Sequence, residues 1–274
     1  MSGSMFGGVC LLALLLALAG LGGLGLAVRL SARRLAAGDR LVVFLLCGPL
    51  LLAILALALA HAGLFSLPRL LAGALLAGVC GGWGMWRAGR RPDAAALDGM
   101  RYGKTFWAGS AALLVLAGVL ATPVSRYLGA WDTGVYVGTA MEVARTGRLA
   151  VQDRLLAELS DEERPAFMHA GDPSRPAWHA GFLITDAAAG RLMPEFYHLY
   201  PAWLAVWAAL FGLAGVWWGQ TTMALLALAM VLTAGAALLG RKAALLAGLG
   251  LTLCAAQAYA MRITSAEMMT QYAL

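Results

Sequence analysis

The feature that most constrains the fold is a series of long apolar runs, interrupted by one long polar interval. Apolar runs cover residues 5–28, 41–60, 68–86, 106–121, 200–216, 221–239 and 243–260. Most of them are long enough to cross a hydrocarbon core about 30 Å thick. No run alternates with a period of two, and backbone groups in lipid must bond within their own segment, so we predict helices. The expected fold class is an all-α, polytopic transmembrane helical bundle.

Composition supports this class, because 61% of the residues are hydrophobic and only 12% are charged, which lies outside the range of soluble domains. The net charge of +6 does not indicate nucleic acid, since the basic residues lie mainly in short loops between runs. Positive charge in such loops fixes orientation in the membrane. The alternative role for it is the binding of anionic lipid head groups. The four cysteines lie inside apolar runs and indicate neither a disulfide nor a zinc site.

The basic residues also predict the orientation of the chain. Along the first three loops Lys and Arg number four, one and five, which places the first and third loops in the cytoplasm and the N-terminus outside. The long polar interval then lies on the extracytoplasmic side of the membrane. The first run is too long for the core of a signal peptide and lacks a basic start, so we predict a mature helix. We expect a multi-pass protein of the inner (plasma) membrane.

The polar interval, residues 123–197, holds ten of the fourteen carboxylates. Asp132 is a candidate cap for a helix over about 133–146, with Gly147 as its stop. Ser160 and Glu163 have the spacing of a capping box that opens a second helix. Residues 171–176 are a turn-rich linker. We therefore predict a long extracytoplasmic loop that contains short juxtamembrane helices.

The last three runs leave two possible topologies. The run over 200–216 is rich in tyrosine and tryptophan, which favour the membrane interface, and Gly212 and Gly215 permit a break. We predict that this run is re-entrant or interfacial rather than crossing. In that case Arg241 is cytoplasmic and Glu267 returns to the side of Asp132; if the run crosses, both assignments are reversed.

No Walker loop, GxGxxG, GxSxG, HExxH or SxxK motif is present. Other short segments carry a resemblance. Trp131–Tyr136 (WDTGVY), followed by Arg145–Leu149 (RTGRL), resembles the first external loop of GT-C glycosyltransferases, closest to the protein-mannosyltransferase-like and aminoarabinose-transferase-like branch. His198–Pro201 (HLYP), with Phe211-Gly212, is similar to the return of that family into the membrane. Arg262–Glu267 (RITSAE) resembles its next external loop.

The resemblance divides the chain into two parts. Residues 1–105 form a three-span N-terminal extension, and 106–274 form a GT-C-like transmembrane module whose first external loop covers 123–198. Members of the family usually continue for several more helices, so we expect the module to be incomplete at its C-terminus. The chain itself ends in what reads as the start of another helix.

The resemblance implies an enzyme, a hexosyl- or pentosyltransferase. Such enzymes transfer a sugar, with inversion, from a polyprenyl-phosphate carrier to a lipid, glycan or protein acceptor at the outer face. Asp132 matches the catalytic acid that deprotonates the acceptor or helps to hold a metal. Arg262, with Arg126 behind it, suits the phosphate leaving group. The further candidates for substrate binding are Tyr136, His198 and Glu267.

The implied cofactor is a divalent cation, Mg²⁺ or Mn²⁺, with Asp132 and Glu267 as its candidate ligands. Membrane lipids are expected partners and nucleic acid is not. His169 and His179 have a poor spacing for a metal site.

Each candidate also has a structural alternative. Asp132 and Glu267 would serve as helix caps, His198 as an interfacial anchor and Tyr136 as a packing residue. Two rival functions follow. A transporter would carry charged residues inside its spans, whereas a non-catalytic scaffold would tolerate neutral residues at positions 132 and 267.

Overall fold

The computed structural model describes residues 2–30, 37–89, 103–122, 132–168, 178–179, 181–263 and 266–273. Helices dominate the described residues. In chain order the helices are α1 Ser2–Leu30, α2 Ala37–His61, α3 Leu67–Gly89, α4 Lys104–Leu120, α5 Asp132–Thr146, α6 Arg154–Glu158, α7 Leu199–Leu239, α8 Arg241–Leu253, α9 Ala255–Arg262 and α10 Glu267–Ala273. The strands are β1 Val151–Gln152, β2 Trp178–His179, β3 Phe182–Asp186 and β4 Arg191–Pro194.

Four of these helices contain stretches long and apolar enough to cross a membrane: Met5–Arg29, Val42–His61, Leu67–Arg87 and Leu199–Leu239. The prediction of several apolar membrane helices is therefore confirmed. Helix α4 was expected to be a fourth span, but its 17 residues extend about 26 Å at 1.5 Å per residue, slightly less than the hydrocarbon core. Helices α8 and α9 bend by 67° at their junction and together have the length of one broken span.

The first three helices pack through glycines. A Cβ atom on Gly25 of α1 would lie 2.2 Å from the Cα of Gly81 on α3, and one on Gly23 would lie 2.5 Å from the Cβ of Cys47 on α2. Helix association in lipid relies on close van der Waals packing, because lipid tails are as apolar as leucine. Only glycine permits these separations, so the small residues set the crossing points of the three-helix extension.

Helix α7 is a hairpin rather than one straight helix. Gly212 has φ 64° and ψ −150°, and the indole N–H of Trp203 donates to the carbonyl of Gly219 at 2.9 Å. In a straight helix residues sixteen apart would lie about 24 Å from each other. Two legs therefore lie side by side: a first leg of residues 199–211 and a second leg of residues 213–239. The predicted break in this run is confirmed.

The first leg is too short to cross a membrane, since it extends only about 20 Å. Contacts of Thr221, which follows the residue paired with Trp203 by two positions, and of Arg262 show which end of the bundle the hairpin occupies. The Thr221 hydroxyl lies 3.4 Å from the carbonyl of Ala121, at the end of α4, and Arg262 Nε donates to the carbonyl of Thr122 at 3.3 Å. These contacts place Thr221 of the second leg, the end of α4 and the end of α9 at one end of the bundle, which we call the site end.

Two further contacts show at which end of the bundle the α2–α3 turn and the α7–α8 junction lie. The N–H of Phe65, between α2 and α3, donates to the carbonyl of Gly147 at 3.2 Å, so that turn also lies at the site end. At the opposite end a Cβ atom on Gly103 would lie 2.8 Å from Arg241 Nη1, which places the α7–α8 junction beside the start of α4. This arrangement is the one expected if the first leg does not cross the membrane.

The polar interval contains a sheet that the sequence analysis did not predict. Its strand order is β1-β4-β3-β2 with antiparallel pairing, and Leu156, Ile184 and Leu192 form a small core beneath it. Strands of two to five residues are too short to show a clear alternation of apolar and polar positions. The all-α prediction therefore describes the membrane bundle but not this part of the chain.

The glycine stop and the capping box predicted for the interval are both present, and Asp132 is the first residue of its helix. Helix α5 begins at Asp132 and ends at Thr146, and Gly147 follows with φ 75°, as expected for a glycine stop. The Glu163 carboxylate accepts from the Ser160 N–H at 2.9 Å, and the Ser160 hydroxyl accepts from the Glu163 N–H at 3.3 Å. This capping box opens only a 3₁₀ turn, Arg164–Phe167, rather than a longer helix. The predicted linker, 171–176, lies outside the described residues.

The hairpin predicts a specific glycine requirement. Replacing Gly212 with alanine should lower the free energy of unfolding by about 1–3 kcal/mol, because its φ and ψ lie in a region that other residues rarely adopt. Thermal unfolding of the purified chain measures this change. Gly250→Ala is the control, since Gly250 is helical and has open space around it; that change should be neutral or stabilising. Equal loss from both substitutions would contradict the turn at Gly212.

Candidate functional site

The candidate site forms where α5 and α10 begin, at the site end of the bundle. One face of α5, which includes Val135, Tyr136, Thr139, Ala140 and Val143, is buried and packs mainly against α7. Helices α5 and α10 each have a carboxylate in the first turn, Asp132 and Glu267 respectively. The helix dipole favours negative charge at that position. Both carboxylates are exposed.

The Tyr136 hydroxyl lies within electrostatic range of both carboxylates. Burial raises the pKa of its phenol above the ordinary value, and the negative charges of Asp132 and Glu267 raise that pKa further. Both charges act at one hydroxyl, so the first turns of α5 and α10 lie near Tyr136 although they are far apart in sequence. The Tyr136 hydroxyl, like any phenol, is protonated at neutral pH and can donate a hydrogen bond.

Two aromatic rings pack against the ring of Tyr136. Its ring centroid lies 5.3 Å from that of Tyr200, edge to face, and 5.7 Å from that of Phe196. Tyr200 is buried and donates its hydroxyl proton to the Oε1 of Gln220, while the Nε2 of Gln220 donates to the carbonyl of Ala260 at 3.0 Å. These two hydrogen bonds connect Tyr200 to the second leg of α7 and to the end of α9. The side chain of Tyr136 is therefore held in place.

Arg262 lies at the same end of the bundle. Its Nε donates to the carbonyl of Thr122, and its side chain is exposed. The terminal N–H groups of the guanidinium have no hydrogen-bond partner among the residues described, which leaves them able to bind an anion. The structure therefore places Arg262 beside the end of α4, at the site end of the bundle. Arg126, the second arginine of that prediction, lies outside the described residues.

The structure gives His198 packing contacts. Its Nε2 lies 3.0 Å from the carbonyl of Pro194, and its ring centroid lies 5.3 Å from that of His61 on α2. These contacts hold the entry to the first leg against the extension, as expected for an anchor. The sequence analysis did not single out His61, and nothing in the spacing of the two histidines indicates that they meet. His169 and the side chain of His179 lie outside the described residues.

Asp132 and Glu267 are the ligands that the sequence predicts for a divalent cation. Within the described parts of the chain no group of three or more His, Cys, Asp or Glu side chains is placed to hold a metal. Mg²⁺ is often held by one or two carboxylates, with water and substrate phosphate as the remaining ligands. Asp132 and Glu267 would be the two carboxylates of such a site, with the other oxygens supplied by water and substrate.

Comparison with known proteins gave no match. Neither the protein-family models, nor the curated proteins, nor the solved structures contain a match to this chain. The chemistry assigned to the site therefore depends on its residues and their geometry.

The geometry makes a prediction about Tyr136 that needs no substrate. Asp132→Asn and Glu267→Gln should each lower the pKa of the residue-136 phenol, because each removes a negative charge that opposes its ionisation. Absorbance titration with a fluorinated tyrosine at position 136, which ionises at lower pH than tyrosine, measures the change while the fold is intact. Glu142→Gln is the control on the same helix, since Glu142 pairs with Arg145. An unchanged pKa in Glu267→Gln would contradict the convergence of α5 and α10.

Proposed function

We propose that this chain is the membrane-embedded part of a glycosyltransferase. It transfers a sugar from a polyprenyl-phosphate donor to an acceptor hydroxyl at the site end of the bundle. The observation that carries the proposal is the meeting of Asp132, Tyr136 and Glu267, since these residues belong to segments that resemble separate external loops of GT-C enzymes. Their position beside apolar helices suits a donor whose lipid stays in the membrane while its sugar is in water.

Asp132 is the proposed general base. The acceptor oxygen attacks the anomeric carbon on the face opposite the phosphate, and its proton passes to the Asp132 carboxylate. The bond between the anomeric carbon and the phosphate oxygen breaks, and polyprenyl phosphate leaves with the electron pair. A single displacement of this kind inverts the anomeric configuration. Because Asp132 is exposed at the start of α5, an acceptor can reach it without rearrangement of the core.

The other residues hold the two substrates. Arg262 binds the departing phosphate, since a guanidinium with free terminal N–H groups can form two parallel bonds to phosphate oxygens. The Tyr136 hydroxyl remains protonated and donates to a sugar or acceptor oxygen. Asp132 and Glu267 would hold a divalent cation, whose chemistry is to neutralise charge on the phosphate.

The proposed orientation places the site end on the extracytoplasmic side of the membrane. The basic residues Arg29, Arg40, Arg87, Lys104 and Arg241 belong to helix ends in the first and third loops and at the α7–α8 junction, and positive charge favours the cytoplasmic side. The site end is opposite. This assignment makes the protein a multi-pass component of the inner membrane.

The proposal predicts a specific loss of function. Cells that lack the complete gene should accumulate a lipid-linked sugar, and the wild-type gene should clear it. Asp132→Asn should reduce transfer by about 10²–10⁴-fold, the usual contribution of a positioned general base. Mass spectrometry of polyprenyl-phosphate sugars and of surface glycans measures both effects.

Asp161→Asn is the matched control, because Asp161 is an exposed acid of the same interval that pairs with Arg164 away from the site. It should restore the glycan profile as the wild type does. Restoration by Asp132→Asn as well would show that Asp132 is only a helix cap. A deletion that changes no glycan would favour a non-catalytic scaffold.

A further inference from the structure

Two arginines and one tryptophan form a cluster at the end of the bundle opposite the site. The guanidinium carbon of Arg29 lies 5.3 Å from the ring centroid of Trp83, and that of Arg87 lies 5.1 Å from the same centroid. The two guanidinium carbons are therefore no further apart than the sum of these distances. We call Arg29, Trp83 and Arg87 the basic cluster.

The packing of α1 on α3 builds this cluster. The two helices approach most closely around Gly25 and Gly81, where a Cβ atom would collide with the neighbouring backbone. One turn further on, the Arg29 side chain lies over Gly84, where an added Cβ would be 2.8 Å from Arg29 Nε. The missing side chains thus allow Arg29 to reach across α3 and share the Trp83 ring with Arg87.

The cluster holds two positive charges without a compensating acid. Neither Arg29 nor Arg87 has a carboxylate partner among the side chains that the structure describes, and both arginines are exposed. The adjoining segments, residues 30–39 and 88–102, add five arginines and three aspartates by sequence, so the surroundings are also net positive. Cation–π contact with one indole stabilises each guanidinium but does not remove their mutual repulsion. An anion held between the two guanidinium groups would remove it.

The position of the cluster identifies the source of the anion. Arg29 and Arg87 are the last residues of the apolar stretches Met5–Arg29 and Leu67–Arg87, so both lie where the hydrocarbon core meets the head groups. The Trp83 side chain is 50% exposed, and exposed tryptophan favours that same layer. A phosphate at this depth belongs to a lipid rather than to a soluble metabolite.

From these observations we infer that the basic cluster is a binding site for the phosphodiester head group of an anionic membrane phospholipid. The guanidinium groups donate to the phosphate oxygens, and the indole keeps both groups oriented. The helix dipole and the orientation rule explain why arginines end these two helices. They do not explain why both guanidinium groups share one ring. The inference does not depend on the glycosyltransferase proposal.

Native mass spectrometry of the full chain in neutral detergent tests the site. The probes are phosphatidylglycerol and phosphatidylcholine with identical acyl chains. The wild type should retain phosphatidylglycerol in preference to phosphatidylcholine, and Arg29→Gln with Arg87→Gln should weaken that preference by about fivefold per arginine. Trp83→Leu, which keeps both charges, should weaken it as well. Thermal unfolding of each variant verifies that it is folded.

Arg69→Gln with Arg145→Gln is the matched control, because it removes two exposed arginines from the site end. That variant should keep the wild-type preference. Three results would overturn the inference: no preference in the wild type, an unchanged preference in Arg29→Gln with Arg87→Gln, or equal losses in the two double variants. Displacement of the lipid by inorganic phosphate at equal concentration would show a free-anion site instead.

Discussion

The structure depends on the way in which Gln220 is satisfied inside the bundle. A buried amide that lacks hydrogen-bond partners in an apolar environment lowers the folding stability by on the order of several kcal/mol. Gln220 accepts from Tyr200 and donates to the carbonyl of Ala260. Its hydrogen bonds therefore connect the first leg of α7, the second leg and the end of α9. The turn at Gly212 is what brings Tyr200 back to Gln220.

This connection determines what the site contains. If α7 were a single straight helix, Tyr200 would lie far from Gln220, and α5, which packs on α7, would lose its support. With the hairpin, the Tyr200 ring lies under Tyr136, and the start of α10 reaches the same hydroxyl through the charge of Glu267. The starts of α5 and α10 thus lie near one hydroxyl because one polar side chain fixes the hairpin. The same arrangement carries Arg241 to the opposite end of the bundle.

Much of the fold could be predicted from the sequence, because hydrocarbon thickness imposes long apolar runs and breaks in them are visible. The break at Gly212 was predictable because a glycine stands within an aromatic run of interfacial character. The strands around Ile184 and Leu192 were not, since they are too short for a periodic signal and depend on pairing between distant residues. The site was predictable only in part. Asp132 and Glu267 came from short motifs, whereas their meeting at Tyr136 and the pairing of His61 with His198 depend on tertiary packing.

We expect Asp132 and Glu267 to lie on one face of the membrane and the α7–α8 junction to lie on the other. Single cysteines at positions 132, 267 and 242, in a chain whose four native cysteines are replaced by serine, test it directly. Intact cells are treated with a membrane-impermeant maleimide before and after permeabilisation. Cysteines at 132 and 267 should be labelled in intact cells, and a cysteine at 242 should be labelled only after permeabilisation. If 267 and 242 were labelled under the same condition, and 132 under the other, the shared face of Asp132 and Glu267 would be contradicted.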